Sequence, residues 1–151
     1  MRKLSAAALF AIAGTLALPA TAADCAVTVD STDAMQFTTK TLQVPAACKA
    51  FKVTLKHVGK LPKTVMGHNF VLGKTADVAG INADGMKAGA DAHYVKAGDP
   101  RVIAASKLIG GGESTTVTIP VAKLKAGQAY TYFCSFPGHA AIMKGSLTLA
   151  K

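Results

Sequence analysis

Tryptophan is absent, arginine occurs only at Arg2 and Arg101, and acidic side chains number 8 against 17 basic ones. Nucleic-acid surfaces draw on clustered arginine, interleaved aromatics or a recognition helix. Here the aromatics make up 6% and the lysines are scattered along the whole chain, so nucleic acid is excluded as a partner. The formal charge of +9 becomes +7 once Arg2 and Lys3 are set aside with the leader described below. That balance describes a solvated lysine-rich surface with a mild preference for acidic partners. Long apolar runs are also missing beyond Leu4–Leu18, so no later segment reads as a membrane span.

The start of the chain has its own signature. Met1-Arg2-Lys3 is basic, Leu4–Leu18 is apolar, and Ala20-Thr21-Ala22 has the small-residue exit of a secretory signal peptide. Residues 1–22 are therefore expected to be removed. Residues 23–151 then form one domain, exported, soluble and long enough to bury a real core. The leader also inflates the mean hydropathy of +0.32.

Most of the remaining sequence has β character. Ala26–Val29, Gln36–Val44 and Phe51–His57 alternate or are strand-like, and Thr64–Leu72 continues as an extended run after the breaks at Gly59 and Pro62. Val102–Ser106, Leu108-Ile109, Glu113–Ile119, Gln128–Phe133 and Lys144–Leu149 complete about eight strands, with Gly110-Gly111-Gly112 as a turn. The fold class is all-β, a β-sandwich. Lys74–Gly98 departs from it as an inserted flap rich in Ala, Gly and Asp. Asp77 is placed to cap a short helix carrying Val78 and Ile81 on one face, with Gly80, Gly85 and Gly89 limiting its length.

Cysteine is scarce, and its three copies divide into a pair and a single. Cys25 and Cys48 lie early, away from any histidine, in a compartment that permits disulfides. A bridge between them, rather than two reduced and buried thiols, is expected, and it would stabilise the fold by roughly 3 kcal/mol on the chain-entropy account. Cys134 remains, and its neighbours are of a different kind. Cys134-Ser-Phe-Pro-Gly-His139-Ala-Ala-Ile-Met143 puts a thiol, an imidazole and a thioether into one loop between two strands, turned by Pro137-Gly138. Upstream, Met66-Gly67-His68-Asn69 offers a second imidazole in an extended run. Thiolate and imidazole bind copper and zinc alike, so zinc stays open on these grounds. A thioether suits zinc poorly, whereas it fits the weak axial position of a blue-copper site. A cysteine hydrolase built on Cys134 and His139 lacks an orienting third residue and gives Met143 no purpose.

These motifs together resemble the azurin-type proteins of the cupredoxin (blue copper) family, over essentially all of residues 23–151. The resemblance implies an eight-stranded Greek-key sandwich holding one type 1 copper ion, which shuttles electrons and catalyses nothing. It implies His68, Cys134 and His139 as strong ligands, Met143 as the weak axial one, and the Gly67 carbonyl as the opposite distant oxygen. Asn69 would tie the two ligand loops together, with Phe136 beside the site. His139 would present its ring edge to solvent through an apolar docking patch. Met35, Leu61, Val65 and Met66 belong to that patch, as do Met86, Phe136, Pro137 and Ile142. Expected partners are transient redox proteins such as c-type cytochromes or periplasmic reductases, met by a monomer in the periplasm. His57 would be a non-ligand histidine near the site, and His93 an exposed one. Phe70 stands where tryptophan is common in the family.

Overall fold

The computed structural model describes residues 24–150, so the expected signal peptide at 1–22 lies outside the described residues. The β-branched and aromatic runs fold into two sheets. The first contains β1 (Ala26–Thr32), β2 (Gln36–Phe37), β4 (Ala50–His57) and β7 (Ser114–Pro120), in the order β2-β1-β4-β7. The second contains β3 (Thr41–Val44), β5 (Val71–Lys74), β6 (Ala104–Ala105), β8 (Tyr130–Phe133) and β9 (Lys144–Leu149), in the order β3-β9-β8-β5-β6. Two pairings are parallel, β1 with β4 and β3 with β9; the chain crosses between sheets to make each.

Period-2 sequence produces the core. On β4, Phe51, Val53, Leu55 and His57 are buried while Lys52 and Lys56 face water, as the alternation predicts. Phe51, Val53 and Leu55 meet Leu42, Leu72, Tyr130, Tyr132 and Leu147 of the other sheet in one cluster. Phe70 is fully buried and stacks on Tyr132 with ring centroids 4.9 Å apart, and Phe37 tilts against both rings. The Cys25–Cys48 disulfide ties the segment entering β1 to the segment entering the adjacent parallel strand β4, where the Lys52 amide also bonds the Cys25 carbonyl. Among the described residues no helix is long and apolar enough to cross a membrane.

Four local expectations are corrected. Gln36–Val44 is two strands rather than one, because Thr38 turns back to bond the Asp30 carbonyl and β3 then joins the other sheet. Thr64–Leu72 is not extended throughout. Pro62 opens a single helical turn, α1 (Lys63–Met66), in which the Val65 and Met66 amides bond its carbonyl; strand structure resumes only at Val71. Of Val102–Ser106 and Leu108-Ile109, only Ala104–Ala105 is strand, and Ile109 forms an isolated bridge with His68. The flap holds a better helix than its glycines suggest, α2 (Val78–Ala88), although the Asp77 side chain makes no capping bond. Gly85 is there for close approach: a Cβ on it would lie 2.1 Å from the Tyr94 carbonyl oxygen. Ile81 is buried beside Val71 and Phe133, which packs the flap onto the sheet.

Candidate metal centre

The lower half of the site is one loop closed on itself. β8 delivers Cys134, and the Cys134 amide bonds the Met143 carbonyl at 3.0 Å, just before β9 begins. Within the loop, the His139 amide bonds the Phe136 carbonyl and the Met143 amide bonds the His139 carbonyl. Gly138, at φ +80°, makes the turn that the Pro-Gly pair predicts. All three donor side chains of the loop point inward. Cys134 and Met143 are fully buried, and His139, expected to show a ring edge to solvent, is buried with only 3% of its surface exposed.

The upper half is held by distant parts of the chain. His68 forms a two-bond bridge with Ile109, through its amide to the Ile109 carbonyl and through its carbonyl to the Ile109 amide. Its ring Nε2 lies 2.9 Å from the Thr32 carbonyl, and only a protonated nitrogen donates to a carbonyl. Nδ1 is therefore left with its lone pair, 3.9 Å from the Cys134 sulfur. His139 Nδ1 lies 3.6 Å from the same sulfur, and the Gly67 carbonyl 3.7 Å from it. Gly67 is crowded: a Cβ would stand 2.6 Å from the Lys63 carbonyl oxygen and 2.8 Å from the Phe136 ring.

The donor set fits a soft, one-electron metal. The ligand atoms of His68, Cys134 and His139 all lie within 4.8 Å of one another in a buried site. Burial pushes His68 down to about 4 and His139 below the usual histidine value, so both imidazoles are neutral and carry lone pairs at neutral pH. Burial pushes the Cys134 thiol up to about 11, while the backbone amides of Asn69 and Phe136 pull it partway back. A metal cation is what would draw that proton off. Thiol, two imidazoles and a fully buried thioether match copper better than zinc.

Asn69 clamps the halves together. Its Oδ1 accepts from the Ser135 amide at 2.8 Å, and its Nδ2 donates to Ser135 Oγ and to the His93 carbonyl, each at 2.8 Å. The clamp therefore also reaches the flap. His93 is half-buried rather than exposed, and it and Tyr94 both adopt left-handed backbone at φ 55°. The Tyr94 ring meets Phe136 edge-on at 5.5 Å, and Phe136 lies 4.7 Å from the His139 ring. Motif reading missed Thr32, His93 and Tyr94, because carbonyl and edge contacts from distant segments leave no local spacing; Ser135 lies inside the loop motif, and its amide and hydroxyl find Asn69 only in the fold. His57 packs 4.2 Å from the His68 ring, as expected of a histidine near the site.

The residues assigned to the docking patch divide by exposure. Leu61, Val65, Met86 and Ile142 are exposed, Val65 and Ile142 by 58% and 55%; Met35, Met66, Phe136 and Pro137 are half-buried. Among the described residues, Val58 is the only other large apolar side chain so exposed.

Comparison with known proteins agrees with this chemistry. Residues 23–150 match the family of copper binding proteins described as plastocyanin/azurin. The chain is 55% identical to azurin of Bordetella pertussis, over 92% of this chain and 93% of that protein. It is 51% identical to azurin of Pseudomonas aeruginosa over 99% of both. A solved azurin, Az-iso2 of Methylomonas sp. strain J, superposes with a TM-score of 0.83 at 50% identity, covering 85% of this chain and all of that one. On its fold, its donor set and these relatives, the chain belongs to the plastocyanin/azurin family of copper-binding proteins.

Proposed function

We propose that this blue-copper electron-transfer protein holds a single type 1 copper ion at His68 Nδ1, Cys134 Sγ and His139 Nδ1, with Met143 and the Gly67 carbonyl as weak, more distant donors. The observation that carries the reading is the convergence of those three ligand atoms within 4.8 Å, buried, beside a fully buried thioether. A bound copper ion supplies a one-electron couple between Cu(I) and Cu(II). The chain supplies everything else. The Thr32 carbonyl holds the His68 tautomer, burial keeps both imidazoles neutral, and Asn69 fixes the distance between the two ligand segments. Ligands held this way change little between redox states, so little reorganisation opposes the electron's passage.

The partners are redox proteins that dock briefly, c-type cytochromes or periplasmic reductases, with His139 as the exit for the electron. Leu61, Val65, Met86 and Ile142 are the exposed apolar side chains that support a small, uncharged contact of this kind. The signal-like residues 1–22 and the Cys25–Cys48 disulfide support action in the periplasm, by a monomer formed from residues 23–151. The test is a visible spectrum of the protein with one equivalent of Cu(II), then with reductant. Intense blue that bleaches and returns on reoxidation is expected. A colourless protein that takes zinc tightly and copper weakly would overturn the reading.

A further inference from the structure

The turn between β1 and β2 does more than reverse the chain. Thr32 supplies the carbonyl that orients His68, and the next residue, Asp33, gathers three separate donors. Its Oδ1 lies 3.0 Å from His57 Nε2 and 3.3 Å from the Leu61 amide, and its Oδ2 accepts from the Lys60 amide at 2.8 Å. The loop it grips is pressed onto it, since a Cβ on Gly59 would lie 2.2 Å from Asp33 Oδ1. That loop leads through Pro62 and α1 directly into Gly67 and His68. The same carboxylate bonds His57, whose fully buried ring lies 4.2 Å from the ring of His68. The Val58 amide adds a bond to the Ser31 carbonyl. His68 is thus contacted by two elements anchored on one short turn, its Nε2 by Thr32 and its ring by His57.

We propose that Asp33 is a positioning residue for the metal centre: its carboxylate locks the 58–61 loop and the His57 ring onto the β1–β2 turn, and so holds His68 Nδ1 aimed at the Cys134 sulfur. The inference rests on the reading of His68 as a ligand. Asp33 itself touches no ligand atom and acts through the loop and through His57. Its carboxyl is held below the ordinary carboxylate value chiefly by the Lys60 amide, so it presents a full charge to these donors at neutral pH. Asp30, three residues earlier on β1, makes no side-chain hydrogen bond among the described residues and provides the control.

The test compares Asp33→Ala, Asp33→Asn and Asp30→Ala with the unaltered protein at one fixed neutral pH. Ring 15N spectra of the metal-free proteins read the His68 tautomer, and amide exchange reads Lys60 and Leu61. In Asp33→Ala the His68 signals should shift or split from the pure Nε2–H form, and both amides should exchange roughly tenfold faster. Asp33→Asn keeps an acceptor oxygen and should recover most of both effects, and it carries the test should the alanine variant fail to fold. Asp30→Ala should match the unaltered protein. With copper bound, Asp33→Ala should stay blue and show a several-fold slower electron self-exchange. Faster exchange at Lys60 and Leu61 with an unmoved His68 ring and an unchanged self-exchange rate would overturn the proposal, leaving the loop clamp as simple stabilisation. Loss of the blue spectrum in the unaltered protein would instead remove the ligand reading itself.

Discussion

The two halves of the metal centre are built in opposite ways. Cys134, His139 and Met143 share one loop whose backbone bonds run between its own members, Cys134 to Met143 and His139 to Phe136 and Met143. His68 has no such local support. Its ring answers to Thr32, its backbone to Ile109, and its neighbour Asn69 to Ser135 and His93. A self-contained loop localises chemistry in sequence, whereas a ligand held by distant segments makes the site depend on the whole sandwich. Damage to the first half should therefore read out as chemistry, and damage to the second as both chemistry and folding.

The largest effect belongs to the self-contained half. Cys134→Ser removes the thiolate and should abolish the blue absorption, while the metal-free protein unfolds in urea near its original midpoint, because the swap changes little volume at a buried position. Retained blue colour in that variant would mean that another sulfur serves the metal.

Acid should strike the distributed half next. His68 is held at about 4 when folded, against about 6.5 when unfolded, chiefly by burial. Below 6.5 the unfolded chain binds a proton that the folded chain refuses, so stability is full above that pH and declines as pH falls toward 4. The loss from this group approaches about 3 kcal/mol at the lower end of the window. His139 is lowered too and pulls the same way. The carboxylate linkages act lower still, with Asp99 held near 2 by Arg101. Urea unfolding of the metal-free protein at pH 7 and pH 4.5 checks this, and a flat profile across that interval would contradict the sealed His68 ring.

Asn69→Leu tests the clamp between the halves. It leaves the Ser135 amide and hydroxyl and the His93 carbonyl without their partner, at a cost of about 2–3 kcal/mol. Met143→Ala differs in kind. Copper should remain bound with a shifted potential, since the thioether is proposed as the weak donor, while truncating a fully buried side chain lowers metal-free stability by about 2–4 kcal/mol. Voltammetry together with urea unfolding separates the two consequences, and complete loss of metal would show the thioether to be a principal ligand.

The same asymmetry decides what the sequence revealed. The β character of the sheets was legible because alternation on β4 and β7 records which face is buried. The Cys-x4-His-x3-Met spacing was legible because its three donors share a loop. His68 was visible only beside that loop, and its surroundings were misjudged: β-branched Thr64 and Val65 read as strand, yet Pro62 and the packing beneath Gly67 wind them into a helical turn. Thr32 acts through a backbone carbonyl, which any residue type could supply. His93 acts through its carbonyl as well, from a flap in which Gly85 lies close against the Tyr94 carbonyl. Function carried by the main chain leaves no trace in side-chain patterns.

At the surface the two halves should act together again, with the smallest effect on stability. Ile142 comes from the self-contained loop and Val65 from α1 in the distributed half, and both are more than half exposed. Replacing either with Asp should change unfolding by no more than about 0.5 kcal/mol, as surface substitutions do. If they belong to one docking surface, each charge should slow electron exchange with a c-type cytochrome, and the two together should depart from the product of the single effects. Coupling of that sort is expected only of residues sharing a contact. Stopped-flow measurement of the four proteins at fixed ionic strength decides it. Slowing by only one of the two charges would place the partner against that half of the centre alone.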